Sequence, residues 1–198
     1  MISGAADVRA VGADDVDSVV MIGDSITVGA RDELRTRFEL MGMTSVVVES
    51  QNSKRMAVST SENPSGVAVA RFLVDVAEDD GDHSNELWVV ALGTNDVNQY
   101  SSPDQLAAAV NEVLGAVPEE SPLVWVDTYF ESEPEAAGLV NSIVRDRIER
   151  RGNAVIAPWS LFAPADGVMT ADGIHPTESG NDVFAFVVAD TVQAFLDR

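Results

Sequence analysis

Residues 18–26 read SVVMIGDSI, and this stretch decides the fold. An apolar run with several β-branched residues ends at Ile22 and passes through Gly23 into a stretch with helical spacing. The run is too continuous for a strand with one solvated face, and a glycine permits a tight turn. The stretch therefore predicts a buried strand, a sharp turn and a helix that begins near Ser25.

The same alternation continues along the chain. Apolar runs that suit buried strands lie at Ser18–Ile22, Thr44–Val48, Leu87–Leu92, Leu123–Val126 and Ala154–Ala157. Stretches with helical spacing lie at Thr27–Met41, Val67–Ala77, Pro103–Val117, Pro134–Arg150 and about Thr177–Leu196. This order predicts an α/β fold, a doubly wound sandwich around a five-stranded, mostly parallel sheet. In such sheets ligands bind beyond the carboxyl ends of the strands.

Length and composition favour one folded domain. The chain has 198 residues, of which 45% are hydrophobic, and we assign residues 17–198 to the domain. Residues 1–16 have no clear period and are interpreted as a tail or linker. There are no cysteines, which excludes disulfides, thiolate metal sites and a cysteine nucleophile.

Charge and the amino-terminal residues limit the partners and the compartment. The net charge is −21, which repels nucleic acid and anionic membranes, so neither is expected as a partner. No apolar run is long enough to cross a bilayer, so no membrane insertion is expected. The first residues lack the basic start and apolar core of a signal peptide. The chain is therefore either cytoplasmic or an extracytoplasmic domain of a longer protein, and its oligomeric state is left open.

Ser25 is the first candidate for chemistry. It follows a predicted strand and opens a helix, whose free N–H groups and positive dipole end stabilise negative charge. The simpler interpretation is that Ser25 only caps the helix, and Gly-Asp-Ser alone is a weak signal. Asp24 is either a second nucleophile or, as we prefer, a side chain that bonds turn backbone and supports Ser25.

A second motif, Gly93-Thr94-Asn95-Asp96, follows the predicted strand that ends at Leu92. A neutral amide such as that of Asn95 can stabilise an oxyanion without losing a proton. The alternative is an ordinary turn, in which Asn and Asp are common. Gly93 and Asp96 are interpreted as supporting residues, with Asp96 bonded to nearby backbone.

The third motif is Asp172-Gly173-Ile174-His175. An imidazole is the usual base for a serine, and a carboxylate on its other ring nitrogen fixes the tautomer. The only other histidine, His83, lies in an acidic stretch and is expected to be solvent-exposed. A lone histidine would more often be structural, but here serine, amide and carboxylate are all suitably placed. Two histidines without thiolates predict no metal site, and the chemistry needs no cofactor.

In content and order the three motifs resemble those of the SGNH, or GDSL, hydrolase superfamily. The resemblance spans nearly the whole chain after residue 16 and implies a flavodoxin-like, three-layer α/β/α sandwich. It implies Ser25 as nucleophile, His175 as general base and acid, and Asp172 as the residue that orients the histidine. It also implies an oxyanion hole made of the Asn95 amide and backbone N–H groups, including that of Ser25.

One motif of the superfamily differs in this chain. After the second strand the superfamily has a glycine whose N–H completes the oxyanion hole, and we align Ser53 with it. Serine keeps the N–H donor, but its backbone is less free than that of glycine. The adjoining Lys54 and Arg55 either orient an anionic substrate or lie in a solvated loop. Ser53 followed by a basic residue also resembles SGNH domains of acyltransferases that O-acetylate cell-wall glycans.

The expected function is a serine esterase that cleaves small acyl esters, acetyl above all, of a small molecule or a glycan. Two alternatives stay open: acetyl transfer to a hydroxyl of a cell-envelope glycan, and a catalytically idle domain that only binds a glycan. A phosphate-binding domain is disfavoured because the first turn lacks a glycine-rich cradle. Trp159 and Tyr129 follow predicted strands and either line the substrate cleft or pack in the core.

Overall fold

Five parallel strands form the central sheet of the computed structural model, which describes residues 16–80 and 85–198. The strands are β1 (Ser18–Gly23), β2 (Ser45–Ser50), β3 (Glu86–Ala91), β4 (Leu123–Val126) and β5 (Ala154–Ala157). Their order in the sheet is β2-β1-β3-β4-β5, so β1 lies between β2 and β3. In register, Gly23 of β1 lies opposite Ser50 of β2 and Ala91 of β3. The carboxyl ends of these three strands therefore meet at one edge.

Helices cover both faces of the sheet. They are α1 (Ser25–Gly29), α2 (Arg31–Leu40), α3 (Gly66–Asp80), α4 (Pro103–Leu114), α5 (Pro134–Arg151), α6 (Trp159–Phe162) and α7 (Glu178–Leu196). One core cluster joins Val19 and Met21 to residues of α1, α2, α6 and α7. A second joins Val20 and Ile22 to residues of α3, α4 and α5. Because successive strand residues point to opposite faces, the continuous apolar run of β1 supplies both cores.

This architecture confirms the predicted α/β/α sandwich around a five-stranded sheet, and all its strand pairs are parallel. The single helix expected at Thr27–Met41 is wrong, because α1 ends at Gly29 and α2 begins at Arg31. Ala30 separates them with φ −101° and ψ 13°, outside the helical range. Its N–H still bonds the Ile26 carbonyl, so the chain turns without losing that hydrogen bond.

The expectations for the amino-terminal tail and for His83 concern residues at or beyond the limits of the described structure. Val16, the last residue of the expected tail, is 9% exposed and packs in the first core cluster. Residues 1–15 and His83 lie outside the described part of the chain. Within residues 16–80 and 85–198, no helix has both the length and the apolar character to cross a bilayer.

Two glycines in helices give opposite predictions for stability. A Cβ on Gly180, in the first turn of α7, would overlap the backbone carbonyl oxygen of Val168, whereas a Cβ on Gly138 in α5 would meet nothing within 4 Å. We expect Gly180→Ala to destabilise the fold by about 1–3 kcal/mol through overpacking. Gly138→Ala should stabilise it by about 0.5–1 kcal/mol through better helix propensity. Urea unfolding of both variants measures the difference, and equal effects would contradict this account of the α7 contact.

Candidate active site

The sheet edge brings the three sequence motifs together. Ser25 is the first residue of α1 and follows β1 after a single residue. Gly93 follows β3 and leads into a one-turn 3₁₀ helix, Thr94–Asp96. His175 lies in the segment between α6 and α7. Residues 150 positions apart in the sequence thereby come into hydrogen-bond contact.

Ser25, His175 and Asp172 form a continuous chain of hydrogen bonds. Ser25 Oγ lies 3.0 Å from Nε2 of His175, and Nδ1 of His175 lies 2.8 Å from Oδ2 of Asp172. Because an ionised carboxylate only accepts hydrogen bonds, the network assigns the ring proton to Nδ1 and leaves Nε2 to accept from the serine hydroxyl. The His175 and Asp172 side chains are 46% and 48% exposed, so this chain is open to solvent.

The Asp172 carboxylate is held by donors on its own loop. Oδ1 accepts from the backbone N–H groups of Ile174 and His175, each at 2.9 Å, and from Thr170 Oγ1 at 2.8 Å. The backbone bond from His175, the bond to its side chain and the bond from Ile174 hold the pKa of Asp172 well below its usual value. The carboxylate is therefore ionised at neutral pH, as the assigned tautomer of His175 requires.

The loop that carries His175 is held by two backbone hydrogen bonds across it and by a contact with Glu131. Thr170 N–H donates to the carbonyl of His175 at 2.9 Å, and Thr177 N–H donates to the carbonyl of Val168 at 2.8 Å. Gly173 adopts φ +65°, and a Cβ there would lie 2.5 Å from Oε2 of Glu131. Glu131 N–H also donates to the Gly173 carbonyl at 3.0 Å. Only glycine fits this position, since both the backbone angle and the packed glutamate exclude a side chain.

Asp24 lies beneath this chain of hydrogen bonds and is 1% exposed. Oδ1 accepts from Ile26 N–H at 3.0 Å and caps α1, while Oδ2 accepts from Nδ2 of Asn95 at 3.2 Å. The hydroxyl of Thr94 also bonds the carboxylate. Burial raises the pKa of Asp24 from 3.8 to about 7, opposed by the bond from Ile26. Enclosed and bonded in this way, Asp24 supports the turn and is not placed to attack a substrate.

Asn95 joins the loop after β1 to the loop after β2. Its Nδ2 lies 3.2 Å from Oδ2 of Asp24 and 3.2 Å from the backbone carbonyl of Lys54, so both amide hydrogens have an acceptor. Gly93 makes this placement possible, because it adopts φ +138° and a Cβ there would lie 2.6 Å from Oγ1 of Thr128. The amide is thus oriented before any ligand binds, by one carboxylate and one carbonyl.

Asp96 ties its own loop, which follows β3, to the loop after β2. It is 1% exposed and accepts from Met56 N–H at 3.0 Å, from the Tyr100 hydroxyl at 2.9 Å and from Arg55 Nε at 3.4 Å. Burial raises the pKa of Asp96, and the bonds from Met56, Tyr100 and Arg55 oppose the rise. Its contacts are structural and include the backbone bond that the sequence predicts.

Ser53 occupies a position where glycine is favoured, since its φ is +60°. It is exposed in the loop formed by residues 51–56, which is anchored to the first motif by a bond of 3.2 Å from Gln51 N–H to the Gly23 carbonyl. Within the described part of the chain, no acceptor takes the N–H of Ser53 or that of Ser25. Both groups are therefore free to donate to a ligand.

The structure bears on the alternatives that the sequence left open for Trp159, Lys54, Arg55 and Tyr129. Trp159 is only 1% exposed and packs edge-to-face on Phe184 at 5.2 Å, so it belongs to the core and not to an open cleft. Lys54 is fully buried, and Arg55 pairs with Asp96, so neither lies in a solvated loop. Tyr129 is half-buried and packs against the first core cluster.

Sequence reasoning missed three supporting residues. Asp127 accepts from the N–H and hydroxyl of Ser160, both at 2.6 Å, and so caps α6. Its position directly after β4, at the predicted ligand edge, was a usable signal. Thr170 lies two residues before Asp172, a spacing typical of a local side-chain bond. The contact of Glu131 with Gly173 joins distant loops and leaves no local pattern.

Comparison with known proteins bears on the family and the fold. The model of the GDSL-like lipase/acylhydrolase family matches residues 21–183. The fold is similar to that of the C-terminal catalytic domain of peptidoglycan O-acetyltransferase A from Streptococcus pneumoniae, with a TM-score of 0.67, 18% identity, and 92% of this chain and 96% of that chain covered. It is also similar to a carbohydrate acetylesterase from Sinorhizobium meliloti, with a TM-score of 0.67, 15% identity, and 89% and 98% covered. An aryl esterase from M. smegmatis gives a TM-score of 0.67 at 15% identity, with 91% and 100% covered. No curated protein sequence matches the chain.

The raised pKa of Asp24 predicts how its removal changes stability with pH. Between 3.8 and about 7 the unfolded chain loses this proton while the folded chain keeps it, so Asp24 costs stability as the pH rises through that window. We expect the free energy of unfolding of Asp24→Asn, relative to the parent, to increase from pH 4 to pH 7.5. Urea unfolding at several pH values measures it, with Asp166→Asn as the control for loss of an exposed carboxylate. A pH-independent difference would contradict the assignment.

Proposed function

The chain belongs to the GDSL-like lipase/acylhydrolase family, and on that premise we propose that it is a serine esterase. Ser25 is the nucleophile, His175 the general base and acid, and Asp172 the residue that orients His175. The observation that carries this proposal is the unbroken chain from Ser25 Oγ to Nε2 at 3.0 Å and from Nδ1 to Asp172 at 2.8 Å. Serine, imidazole and carboxylate in this order form the arrangement that activates a hydroxyl for acyl transfer.

Catalysis proceeds through an acyl-enzyme. Ser25 Oγ attacks the ester carbonyl carbon while Nε2 of His175 takes the hydroxyl proton. The tetrahedral intermediate then collapses, the bond to the alcohol oxygen breaks, and the same Nε2 returns the proton to the leaving alcohol. Water repeats the sequence on the acyl-enzyme, which releases the acid and regenerates Ser25. Asp172 stays ionised throughout and stabilises the imidazolium that forms at each step.

The oxyanion is held by three donors: the N–H groups of Ser25 and Ser53 and the Asn95 amide. The two backbone groups have no acceptor within the described residues, which supports this role. The amide hydrogen of Asn95 that meets the Lys54 carbonyl at 3.2 Å is shared with the oxyanion, while Asp24 accepts the other. The amide therefore keeps its orientation, and the charged acceptor strengthens the shared bond as the intermediate forms.

We infer that the acyl group is small, with acetyl as the first choice, and that the alcohol is bulky. No long apolar insertion that would form a lid separates the elements in the sequence. Because His175 and Asp172 are about half exposed, the side of the site where the alcohol departs is open enough for a carbohydrate. Similar folds named a carbohydrate acetylesterase and a peptidoglycan O-acetyltransferase agree with an acetyl ester of a glycan.

Acetyl transfer to a glycan hydroxyl is the second candidate, favoured by the same exposure of His175. Transfer and hydrolysis use the same residues and differ only in whether an alcohol or water attacks the acyl-enzyme. Release of acetate with and without oligosaccharide acceptors separates the two. A third candidate, a domain that binds a glycan without catalysis, is disfavoured by the intact contacts of Ser25, His175 and Asp172.

Replacement of the nucleophile tests the proposal directly. We expect Ser25→Ala to abolish hydrolysis of p-nitrophenyl acetate and labelling by a fluorophosphonate, because the acyl-enzyme cannot form. Ser101→Ala, which removes an exposed hydroxyl at the same sheet edge, is the matched control and should keep the parental rate. Parental hydrolysis or labelling in Ser25→Ala would overturn the proposal.

The oxyanion role of Asn95 is tested separately. Asn95→Ala should lower kcat by about 10²–10³-fold, the usual effect of one lost oxyanion donor, with little change in KM. Asn98→Ala is the matched control and should leave kcat unchanged, since among the described residues that exposed amide bonds only Glu133, at 2.9 Å. Steady-state kinetics on an acetyl ester measure both variants. An Asn95→Ala enzyme with parental kcat would remove Asn95 from the oxyanion hole.

A further inference from the structure

Lys54 is a buried charge whose contacts the reaction scheme does not use. Its side chain is 0% exposed, and Nζ donates to the backbone carbonyl of Pro64 at 3.0 Å. Within the described residues no carboxylate forms an ion pair with it, and Glu49 acts only by longer-range attraction. Burial lowers the pKa of Lys54. Burying an ammonium with a single neutral acceptor is unfavourable, and a surface position would avoid that cost.

The backbone of Lys54 holds the Asn95 amide. The Lys54 carbonyl accepts from Asn95 Nδ2 at 3.2 Å, and its N–H donates to the Gln51 carbonyl at 3.3 Å. Ser53, the residue before it, carries the strained φ of +60°. The direction of the amide therefore depends on where one backbone carbonyl of the 51–56 loop lies.

The segment 62–66 braces that loop. Gln51 Nε2 donates to the Glu62 carbonyl at 3.0 Å, and Asn63 Nδ2 donates to the Asn52 carbonyl at 2.7 Å. Both of these contacts are exposed, where water competes for the same groups. Two further bonds between the segment and the loop are less exposed: Gly66 N–H donates to the Arg55 carbonyl at 2.8 Å, and Lys54 Nζ donates to the Pro64 carbonyl at 3.0 Å. Of these bonds, the one from Lys54 has a charged donor, which makes it the strongest.

We propose that Lys54 is a positioning residue of the oxyanion hole. Its ammonium, bonded to Pro64, fixes the backbone carbonyl that aims the Asn95 amide. The inference rests on the proposed esterase function and adds a residue that never touches the substrate. Without the Pro64 bond the 51–56 loop shifts, and the amide loses its alignment with the developing oxyanion.

Lys54→Met tests the proposal, because methionine keeps an unbranched apolar stem and removes the charge and the donor. We expect kcat on an acetyl ester to fall about ten- to hundredfold, the size expected for a small misalignment, with KM nearly unchanged. The rate is expressed per Ser25 titrated by a fluorophosphonate, so unfolded protein does not count. Arg35→Met, which removes one positive charge from an exposed site on α2, is the matched control and should keep the parental kcat.

A double-variant cycle separates positioning from a structural role. If Lys54 acts through Asn95, adding Lys54→Met to Asn95→Ala should cost much less than it costs in the parent. A merely structural role would lower the melting temperature and leave the rate per titrated serine unchanged. Parental kcat in Lys54→Met, or equal losses in both backgrounds, would overturn the inference.

The same experiment distinguishes the two proposals. If Ser25 does not react with the fluorophosphonate, the esterase proposal fails. If Ser25 reacts and Lys54→Met keeps the parental kcat, only the role of Lys54 fails. Should Lys54→Met not fold, Lys54→Gln replaces it under the same criteria, since glutamine loses the charge and most of the reach.

Discussion

The buried Asp24 carboxylate accepts hydrogen bonds that join the turn after β1 to the loop after β3. The sheet brings these two segments near each other but does not connect them. One oxygen takes the N–H of Ile26 and so starts the helix that presents Ser25, and the other takes the amide of Asn95. The sheet register sets the loops side by side, but the carboxylate sets their relative position within a hydrogen-bond length. Burial raises the pKa of Asp24, and the hydrogen bonds it accepts oppose that rise and favour the ionised form.

Buried charges of both signs lie around Asn95 and the 51–56 loop, the proposed oxyanion side of the site. Asp24 and Asp96 are each 1% exposed, while Lys54 is 0% exposed, in a chain with only 12 basic residues. Such groups are costly to bury, and removing one partner leaves another uncompensated. The arrangement therefore contributes little net stability, but it permits few alternative positions for the 51–56 loop. In the proposed mechanism, precise placement of the Asn95 amide requires that restriction.

Pattern in the sequence predicted the sheet, the positions of its strands and the three motifs at its carboxyl edge. The strands could be predicted because a buried parallel strand is a continuous apolar run in the local sequence. The place of the motifs could be predicted because ligands in such sheets bind at the carboxyl ends of the strands. The sequence pattern did not predict the burial of Lys54, because the Pro64 carbonyl that accepts its hydrogen bond lies ten residues away in an irregular loop. It left Trp159 open between the cleft and the core, and the first turn of α6 directs that side chain inward onto Phe184. In both cases a tertiary partner decides the position of the side chain.

The site is rigid on one side and open on the other. The 51–56 loop, Asn95 and Asp24 form a closely bonded wall, whereas His175 and Asp172 are about half exposed. In the proposed mechanism the carbonyl oxygen meets the wall, and the alcohol leaves past His175. Discrimination should then be strict for the geometry of the acyl centre and permissive for the size of the alcohol. The same opening admits water or a second alcohol to the acyl-enzyme, so relative binding of the acceptor, and not a different set of residues, decides between hydrolysis and transfer.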